Sequence, residues 1–383
     1  MTNKQKVVHL TTVHNPYDTR IYHKECRSLQ EAGFDVSLIV PVSDDGIITD
    51  EQNVAIIPVK KYNSRLKRMI MSTFQVYRKA KQIDADYYHF HDPELLIVGW
   101  LLKNNNNHVI YDIHEDYYTS IMQKEYIAKP LRRFMGQLYN VMERFFSKKM
   151  DLCLAEKYYQ EKYPRGKCIL NYPKLNKKLI EHYNENQSKE NALIYTGNVS
   201  LDRGASIHSK IPLIDEEVEI HFIGKCPGQI AEVMYTNSKD NSDRLIIEGI
   251  NRFVEREEID AKYISKNWLA GLAIFPPTDH YMKKELTKFF EYMSVGIPII
   301  CSDFPVWRRF IEKYQCGITV DPSNPEAIRN GIDYIKKNPL EASRMGNNGK
   351  EAVMKELNWD LEEMKLVEWY KELMIKHEYK MQV

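Results

Sequence analysis

Short apolar runs alternate with longer helical patterns along the whole chain of 383 residues. Most of these runs are nearly continuous and rich in β-branched residues, which is typical of strands buried on both faces of a sheet. Their alternation with helices of about 10–15 residues predicts parallel sheets joined by right-handed crossovers. The predicted strands are residues 7–12, 35–41, 54–59, 87–91, 108–114, 151–155 and 168–173 in the first half, and residues 192–197, 219–224, 244–249, 271–277, 297–303 and 317–322 in the second.

A polar, Asn-rich stretch, KLNKKLIEHYNENQSKENA (174–192), separates the two sets of strands. It predicts two Rossmann-like, doubly wound α/β domains of a comfortable size. We place the first domain at residues 1–172, the linker at 173–190 and the second domain at 191–360, with a helix at 361–383 that returns to the first domain. Because ligands of parallel sheets bind beyond the carboxyl ends of the strands, we expect a ligand in a cleft where the two domains face each other.

Composition and charge narrow the class of protein. Hydrophobic content is 43% and charged content 28%, as in ordinary globular proteins. The net charge is only +1, but residues 1–170 contain 25 Lys and Arg against 20 Asp and Glu, which suggests that the first half faces an anionic partner. The six cysteines have no paired spacing, the chain opens without a secretory leader, and no apolar run is long enough to span a bilayer. These features predict a cytoplasmic protein with reduced thiols.

Several common motifs are absent from the sequence. No two of the 16 glycines are two residues apart, so the G-x-G-x-x-G fingerprint of dinucleotide oxidoreductases does not occur. The chain also lacks the P-loop spacing and the G-x-S-x-G nucleophile elbow. The tripeptide DAD (84–86) matches a D-x-D metal motif, but it precedes a predicted strand, which is the wrong end for a ligand site. We therefore predict neither a metal site nor a cofactor.

Five blocks of the sequence resemble the bacterial glycosyltransferases of family 4, in the order and approximate spacing of that family. The resemblance covers nearly the whole chain and implies the GT-B fold, metal-independent transfer with retention of configuration, a nucleotide sugar bound mainly by the second domain and an acceptor bound mainly by the first. The blocks are TTVHNPYDTRIYHKECRSLQEAGFDVSLIVP, YYHFHDPELLIVG, VIYDIHE, YTGNVSLDRG and KFFEYMSVGIPIICSDFPVWRRFIEKYQCGITVDPSNPEAI.

The resemblance assigns donor-binding roles in the second half. It implies that Glu291 accepts hydrogen bonds from the ribose hydroxyls of the nucleotide, which suits an acceptor-only carboxylate. A surface carboxylate paired with a lysine is the alternative. Lys288 and Arg203 are the cations expected near the diphosphate, and both are assigned to catalysis. The other expected donor contacts are Gly197, Asn198, Thr287 and Phe289. Thr287 and Phe289 are included because the helix predicted from about Lys284 to Val295 would direct free amides at the phosphates.

One position departs from the family pattern. The common pattern places a glutamate eight residues before Glu291, where this chain has Lys283. Glu285 is close, but it is two positions out of register. In members that have it, the first glutamate contacts the donor sugar, so recognition of the sugar is the property that this departure affects.

The first half supplies the other site residues. His114 in YDIHE matches the histidine that approaches the donor sugar near the transferred carbon, and it is assigned to catalysis. A hydrogen-bonded histidine at a strand end is the alternative. Asp18, Thr19 and Arg20 follow the first strand with His14 and are expected to bind the donor, although Asp18 could instead cap a helix that begins near Thr19. His91 and Asp92 are expected to line the site.

Two segments of the first half are strongly basic. Residues 60–81 contain eight basic and no acidic residues, and residues 124–149 contain seven basic and two acidic residues. In the second segment, apolar residues from Ile127 to Phe145 recur every three or four positions, which predicts a helix. This helix either faces the core with a basic outer side, or docks on an anionic membrane surface that carries a lipid-linked acceptor. No recognition motif accompanies the charge, so nucleic acid is not expected as a partner.

These observations predict a retaining glycosyltransferase that moves a sugar from a nucleotide sugar, expected to be UDP-linked, to a growing cell-surface glycan on a lipid carrier. It would be cytoplasmic and peripheral on the inner face of the membrane. Two alternatives remain open at this point. One is a nucleotide-sugar 2-epimerase of the same fold, which needs acid and base carboxylates around the sugar, and the other is a catalytically silent donor-binding subunit of a glycosyltransferase complex.

Overall fold

The computed structural model describes residues 4–42, 48–49, 54–124, 127–182 and 189–381. The chain divides into two compact units. The first unit contains residues 1–171 and 359–383, and the second contains residues 172–358. Each unit is built around its own sheet.

The sheet of the first unit has eight strands in the order β3-β4-β2-β1-β5-β6-β7-β8. All neighbouring strands pair in parallel except β3, which is antiparallel to β4. Val7 of the central strand pairs with Val36 on one side and Tyr87 on the other, so both edges of β1 are covered. The strands are β1 (Lys6–Leu10), β2 (Asp35–Val42), β3 (Ile48–Thr49), β4 (Ala55–Lys60), β5 (Tyr87–Phe90), β6 (His108–Ile113), β7 (Asp151–Leu154) and β8 (Lys167–Cys168).

Helices alternate with the strands of the first unit, because parallel strands need a crossover connection between them. The α-helices are α1 (Arg27–Glu31), α2 (Arg65–Lys67), α3 (Thr73–Ile83), α4 (Leu96–Leu102), α5 (Tyr117–Met122) and α6 (Lys129–Ser147). Wider π-helical turns at Ile21–Cys26 and Arg68–Ser72 lead into α1 and α3, and 3-10 turns occur at Pro93–Leu95 and Lys157–Glu161.

The last helix of the chain completes the core of the first unit. The side chains of Trp359, Leu366 and Tyr370 are buried in the same cluster as Val7 and Val36 of the sheet. The Trp359 indole donates to the Ser28 hydroxyl over 3.0 Å. These contacts explain why this distant segment is part of the first unit.

The second unit has a six-stranded parallel sheet in the order β11-β10-β9-β12-β13-β14. Helix α7 (Lys177–His182) precedes it. The strands are β9 (Ala192–Thr196), β10 (Glu219–Cys226), β11 (Leu245–Ile250), β12 (Ala270–Ala273), β13 (Ile299–Ser302) and β14 (Gly317–Val320). The helices are α8 (Ala205–His208), α9 (Ile211–Ile214), α10 (Gly228–Ser238), α11 (Arg256–Tyr263), α12 (Thr287–Ser294), α13 (Pro305–Tyr314), α14 (Pro325–Lys337), α15 (Pro339–Lys355) and, in the first unit, α16 (Trp359–Met381). Short 3-10 turns lie at Leu201–Arg203 and Lys239–Arg244.

All thirteen predicted strands are present, with three corrections to the predicted elements. Of the run at 168–173, only Cys168 lies in a strand, the two-residue β8. The strand stops there because the N–H of Leu170 leaves the ladder and donates to the Glu362 carboxylate over 2.8 Å. Helix α12 begins at Thr287 rather than near Lys284, whose carbonyl instead accepts from the Trp307 indole. Strand β3 was not predicted, since two residues carry no periodicity.

The six cysteines are all free, and five of them are buried. This arrangement agrees with the expectation of reduced thiols. Among the described residues, no helix is both long and apolar enough to cross a bilayer.

Candidate functional site

A cavity of about 350 Å³ lies where β1, β5 and β6 of the first unit end. The carboxyl ends of neighbouring parallel strands meet at one edge of the sheet, so residues distant in sequence converge here. The lining residues are Val13, His14, Arg68, His91, Asp92, Pro93, Glu94, Tyr111, Asp112, His114, Glu115 and Tyr117.

A chain of hydrogen-bonded side chains runs from this cavity into the core. Nε2 of His114 lies 2.5 Å from Oδ2 of Asp112, and the same oxygen lies 3.1 Å from Nδ1 of His91. His91 in turn contacts Nδ1 of His9 through its Nε2 at 2.9 Å. Since Asp112 only accepts, the hydrogen of this contact lies on Nε2 of His114. Burial lowers the pKa of His91 to about 4, so this ring is neutral near pH 7.

Arg20 lies behind the cavity in a buried ion-pair network. Its Nε and terminal nitrogen donate to both oxygens of Asp112 over 3.0 Å, and the same terminal nitrogen lies 3.0 Å from Oε1 of Glu25. Although burial opposes ionisation, the Arg20 charge holds the pKa of Asp112 well below its ordinary value. Burial and the neighbouring Asp112 raise the pKa of Glu25 instead. The network therefore places one cation beside two carboxylates whose pKa values are shifted in opposite directions.

This burial corrects our expectation that Arg20 contacts the donor. The guanidinium is committed to Asp112 and Glu25, and its exposed fraction is only 4%. Although its Nη1 has no hydrogen-bond partner among the described residues, the guanidinium is closed off from solvent, so Arg20 supports neighbouring groups rather than contacting a ligand. Thr19, by contrast, is exposed and stays a predicted donor contact.

The loop after β1 combines the two roles considered for Asp18. Its carboxylate accepts from the backbone N–H groups of Arg20 and Ile21 over 2.9 and 3.0 Å, which caps the following helical turn. The other oxygen lies 3.1 Å from Nδ1 of His14. Despite burial, this hydrogen bond raises the pKa of His14 and lowers that of Asp18. Asp92 accepts from the N–H of Thr12 over 2.6 Å and so fixes the same loop from the other side.

The burial of Lys288 was not expected, although this residue was predicted to lie near the diphosphate. It lies in the first turn of α12 and is 8% exposed, and its ammonium has no hydrogen-bond partner among the described residues. The ammonium lies 3.4 Å from the ring centre of Tyr195 and 5.0 Å from that of Phe275. Burial, with the charge of Arg203, holds the pKa of Lys288 well below its ordinary value. A cation in this state favours an anionic ligand.

Arg203 is positioned by its neighbours. Its Nε donates to the Tyr281 hydroxyl over 3.0 Å, and this hydroxyl donates to Asp202 over 3.1 Å. Gly204 follows with a φ of +82°, and a Cβ there would lie 2.0 Å from the carbonyl oxygen of Ile274. Only glycine permits this approach.

Gly197 directly follows β9 and has a φ of +91°, in the left-handed region that glycine favours. The next residue, Asn198, is exposed, and its carbonyl accepts from the Tyr195 hydroxyl over 2.8 Å. Both residues therefore lie in a tight, tethered turn after the strand, and they stay predicted donor contacts.

Glu291 is one turn beyond Lys288 on α12. Its Oε1 forms an ion pair with Arg256, and its Oε2 accepts from the Tyr263 hydroxyl over 2.8 Å. The pairing partners are thus an arginine and a tyrosine from α11, not the lysine of the alternative interpretation. Each carboxylate oxygen has a second lone pair, so the ribose role stays a prediction that these contacts permit.

The remaining two residues predicted on α12 differ in exposure. Thr287 is exposed at the first position of the helix, as donor contact requires. The side chain of Phe289 is fully buried, with its ring centre 5.3 Å from that of Trp307 and 5.6 Å from that of Phe310. Its N–H bonds to the carbonyl of Leu286. The structure corrects Phe289 to a packing residue, because both its ring and its amide are occupied.

Several contributors were not predicted. Four residues that each contact a predicted site residue were missed: Asp112, Arg256, Tyr263 and Tyr195. The signal for Asp112 was its place beside His114 in YDIHE. Tyr195 opens the block YTGNVSLDRG, two residues before Gly197, whereas Arg256 and Tyr263 come from α11, where no local pattern indicated them.

Comparisons with known proteins bear on the family of this chain. Residues 19–159 match the family model described as Glycosyltransferase Family 4, and residues 287–352 match that described as Glycosyl transferases group 1. The two matches include His114 and Glu291, respectively. D-rhamnosyltransferase WbpZ of Pseudomonas aeruginosa is 23% identical over 294 residues, which cover 73% of this chain and 71% of WbpZ.

Solved structures show the same fold. Sucrose-phosphate synthase from Thermosynechococcus elongatus superposes with a TM-score of 0.75 at 16% identity, over 97% of this chain and 100% of that chain. Anabaena HepE in complex with UDP and glucose superposes with a TM-score of 0.69 at 11% identity, over 96% of this chain and 100% of that chain. The two Rossmann-like sheets and the two family matches lead to one conclusion: this chain belongs to the family 4-like glycosyltransferases of the GT-B fold.

Proposed function

We propose that this glycosyltransferase moves a sugar, with retention of configuration, from a UDP-linked donor to a growing cell-surface glycan on a lipid carrier. The enzyme would work in the cytoplasm, at the inner face of the membrane. The observation that carries the proposal is the buried ammonium of Lys288, which has no hydrogen-bond acceptor among the described residues. A buried cation is costly to keep unless an anion completes its surroundings, and a diphosphate supplies that anion.

Two similarities support a nucleotide sugar as the donor. HepE has been crystallised with UDP and glucose, and WbpZ is named as a D-rhamnosyltransferase. In our assignment, Lys288 and Arg203 contact the diphosphate, Glu291 accepts from the ribose, and the turn at Gly197 and Asn198 lets the backbone approach the nucleotide. The exposed start of α12 at Thr287 adds free amides to the phosphate site.

The proposed reaction is a substitution on one face of the sugar ring. The bond between the anomeric carbon and the β-phosphate oxygen breaks, and the acceptor oxygen bonds to that carbon on the same face. The proton of the acceptor hydroxyl goes to the departing phosphate oxygen. Lys288 and Arg203 stabilise the charge that develops on the phosphate. We assign Nδ1 of His114 to accept a hydrogen bond from a hydroxyl of the sugar.

The cavity in the first unit suits a glycan acceptor. Its lining includes the carboxylates of Asp92, Glu94 and Glu115, which can accept hydrogen bonds from sugar hydroxyls. Tyr117 adds an aromatic surface of the kind that packs against sugar rings. We therefore assign this cavity to the acceptor.

Melting temperatures measured with a panel of nucleotides test the donor assignment. UDP should raise the melting temperature of the wild type, because a ligand that binds only the folded state stabilises it. Lys288→Met should abolish most of this rise, whereas the control Lys337→Met, at an exposed lysine paired with Asp333, should keep it. An undiminished response of the Lys288 variant would reject the phosphate role.

The product and its anomeric configuration test the reaction class. The purified chain should consume the UDP-sugar with an acceptor and release a product of the same anomeric configuration, as read by NMR. A product epimerised at C2 would indicate the epimerase. Nucleotide binding without turnover would indicate a donor-binding subunit.

A further inference from the structure

Helix α6 presents its apolar side chains to solvent. Phe134, Val141 and Phe145 are 63%, 65% and 66% exposed and recur on one side of the helix. The side that faces the unit is mixed: Gly136 and Glu143 are buried, and Tyr139 and Phe146 pack partly buried against the core. This result rules out the core-facing interpretation of the stripe, because a core-facing helix buries its apolar side.

Specific contacts lock α6 in this orientation. The buried carboxylate of Glu143 accepts hydrogen bonds from the hydroxyls of Tyr111, Tyr139 and Tyr163. A Cβ at Gly136 would lie 2.7 Å from the ring of Tyr118, so α5 and α6 pack as close as glycine allows. The helix cannot rotate its apolar stripe inward without losing both contacts.

Two neighbouring segments extend the exposed surface. Trp100 of α4 lies with its ring centre 5.9 Å from that of Phe146 on α6, and it is 45% exposed. α3 packs beside α4, and exposed apolar side chains occur on α2 (Leu66), on the π-helical turn after it (Ile70) and at the start of α3 (Phe74). We call the exposed apolar side chains of residues 66–74, 97–101 and 131–145 the apolar face.

The segments that carry the apolar face have charges of almost one sign. In the described parts of 60–81, 96–102 and 127–149, the only acidic side chain is Glu143, which is buried. Exposed cations, among them Lys67, Arg133, Arg144 and Lys148, are interspersed with the apolar residues. Apolar side chains surrounded by cations are the combination that binds at the interface of an anionic bilayer.

We propose that the apolar face inserts into the surface of an anionic bilayer and thereby presents the acceptor cavity to a lipid-linked glycan. This proposal rests on the proposed function and specifies how its acceptor is reached. A second copy of the chain is a poorer occupant, because a twofold contact would bring the same exposed cations against each other.

The cavity and the apolar face share a wall. Arg68, which lies within the segment 66–74, also lines the cavity, where it pairs with Glu94 at 3.2 Å. Arg65 donates to the hydroxyl of Tyr117, another lining residue, over 3.2 Å. A glycan can therefore enter the cavity while its lipid stays in the bilayer beside it.

Fluorescence of Trp100 provides a direct test. The other four tryptophans are buried, so Trp100 is the one positioned to report on lipid contact. With phosphatidylglycerol vesicles at low salt, the emission should shift to shorter wavelength, and brominated acyl chains should quench it. Trp100→Phe should remove most of the quenching. The affinity for these vesicles should exceed that for neutral vesicles by about tenfold or more and should fall with added salt.

Two sets of variants separate the apolar from the charged contribution. The combined variant Phe134→Ser, Val141→Ser and Phe145→Ser should weaken vesicle binding by about tenfold or more, since each change removes inserted apolar surface. Its control, Leu213→Ser, Phe253→Ser and Leu340→Ser, alters exposed apolar residues of the second unit and should bind normally. A second variant removes four cations near the apolar face and should lose the salt-dependent part of vesicle binding: Lys67→Ser, Arg133→Ser, Arg144→Ser and Lys148→Ser. Its control removes four cations of the second unit and should keep that part: Arg309→Ser, Arg329→Ser, Lys337→Ser and Lys355→Ser.

Transfer to a short soluble acceptor separates this proposal from the proposed function. The apolar-face variants should keep that transfer and lose transfer to an acceptor embedded in vesicles. The docking proposal is overturned if wild type ignores anionic vesicles at low salt, if Trp100 is not quenched, or if the wild type is a dimer that the apolar variant converts to monomer. If UDP binding and soluble transfer persist in those cases, the proposed function stands without the docking.

Discussion

Arg256 forms an ion pair with Glu291 and thereby occupies one oxygen of the carboxylate expected to bind the donor ribose. The two residues come from different helices, α11 and α12, and the Tyr263 hydroxyl holds the second oxygen. Together these partners orient the carboxylate before any ligand arrives. Such preorganisation lowers the entropic cost of binding.

The first prediction concerns this pair. Glu291→Ala should weaken UDP binding by about 1.5–3 kcal/mol, the range for hydrogen bonds to a charged group. Arg256→Gln should weaken it less, because the carboxylate remains but loses one of its two supports. Calorimetric titration with UDP measures both effects, with Glu351→Ala, at an exposed carboxylate paired with Lys355, as the control. Unchanged affinity in a folded Glu291 variant would reject the ribose contact.

The second prediction uses the buried charge of Lys288. Its pKa in the folded protein is lowered, so between that value and the unfolded value of about 10.4 the unfolded state binds more protons. Stability of the ligand-free wild type should therefore rise with pH through this window, relative to Lys288→Met. The difference in unfolding free energy, measured by urea denaturation at several pH values up to about 10, checks the sign. A difference independent of pH would show that the ammonium is not desolvated.

The third prediction distinguishes support from ligand contact for Arg20. Arg20→Met should destabilise the fold by about 3–5 kcal/mol, because it leaves the Asp112 carboxylate buried without its partner. In the fraction that remains folded, affinity for UDP should change little. Denaturation and UDP titration of the same preparations provide the two measurements, and Arg344→Met, at an exposed arginine, is the control. A stable variant with weakened UDP binding would instead support our original donor assignment.

The fourth prediction is that transfer survives EDTA. His91, Asp112 and His114 are close enough to hold an ion, but Arg20 already binds both oxygens of Asp112 and supplies the positive charge. In the DAD tripeptide, Asp86 accepts from the N–H of Lys6 over 2.8 Å and so acts as a structural cap. Assays with and without chelator, followed by added Mn²⁺ or Mg²⁺, check this outcome. Activity that is lost in EDTA and restored by either ion would contradict it.

The sequence alone was sufficient for the layout of the fold and for the family. Continuous apolar runs such as that at 192–197 marked every strand of four or more residues, because a strand covered on both faces must be apolar throughout. The glycine-terminated block around Glu291 and the YDIHE block identified the candidate site residues. Local chemistry also indicated the helical cap by Asp18, since a capping side chain bonds to amides two or three residues ahead.

Only the tertiary structure decided which partners these residues have and which way α6 faces. Arg20 and Phe289 seemed to be ligand contacts by position, yet long-range packing buried both. Arg256 reached Glu291 because tertiary packing within the second unit brings α11 beside α12, which no local periodicity encodes. A helical stripe likewise shows that a helix is amphipathic but not whether its apolar side meets the core. For α6, the buried Glu143 and its three tyrosine hydroxyls settled that question, and they turned the stripe to solvent.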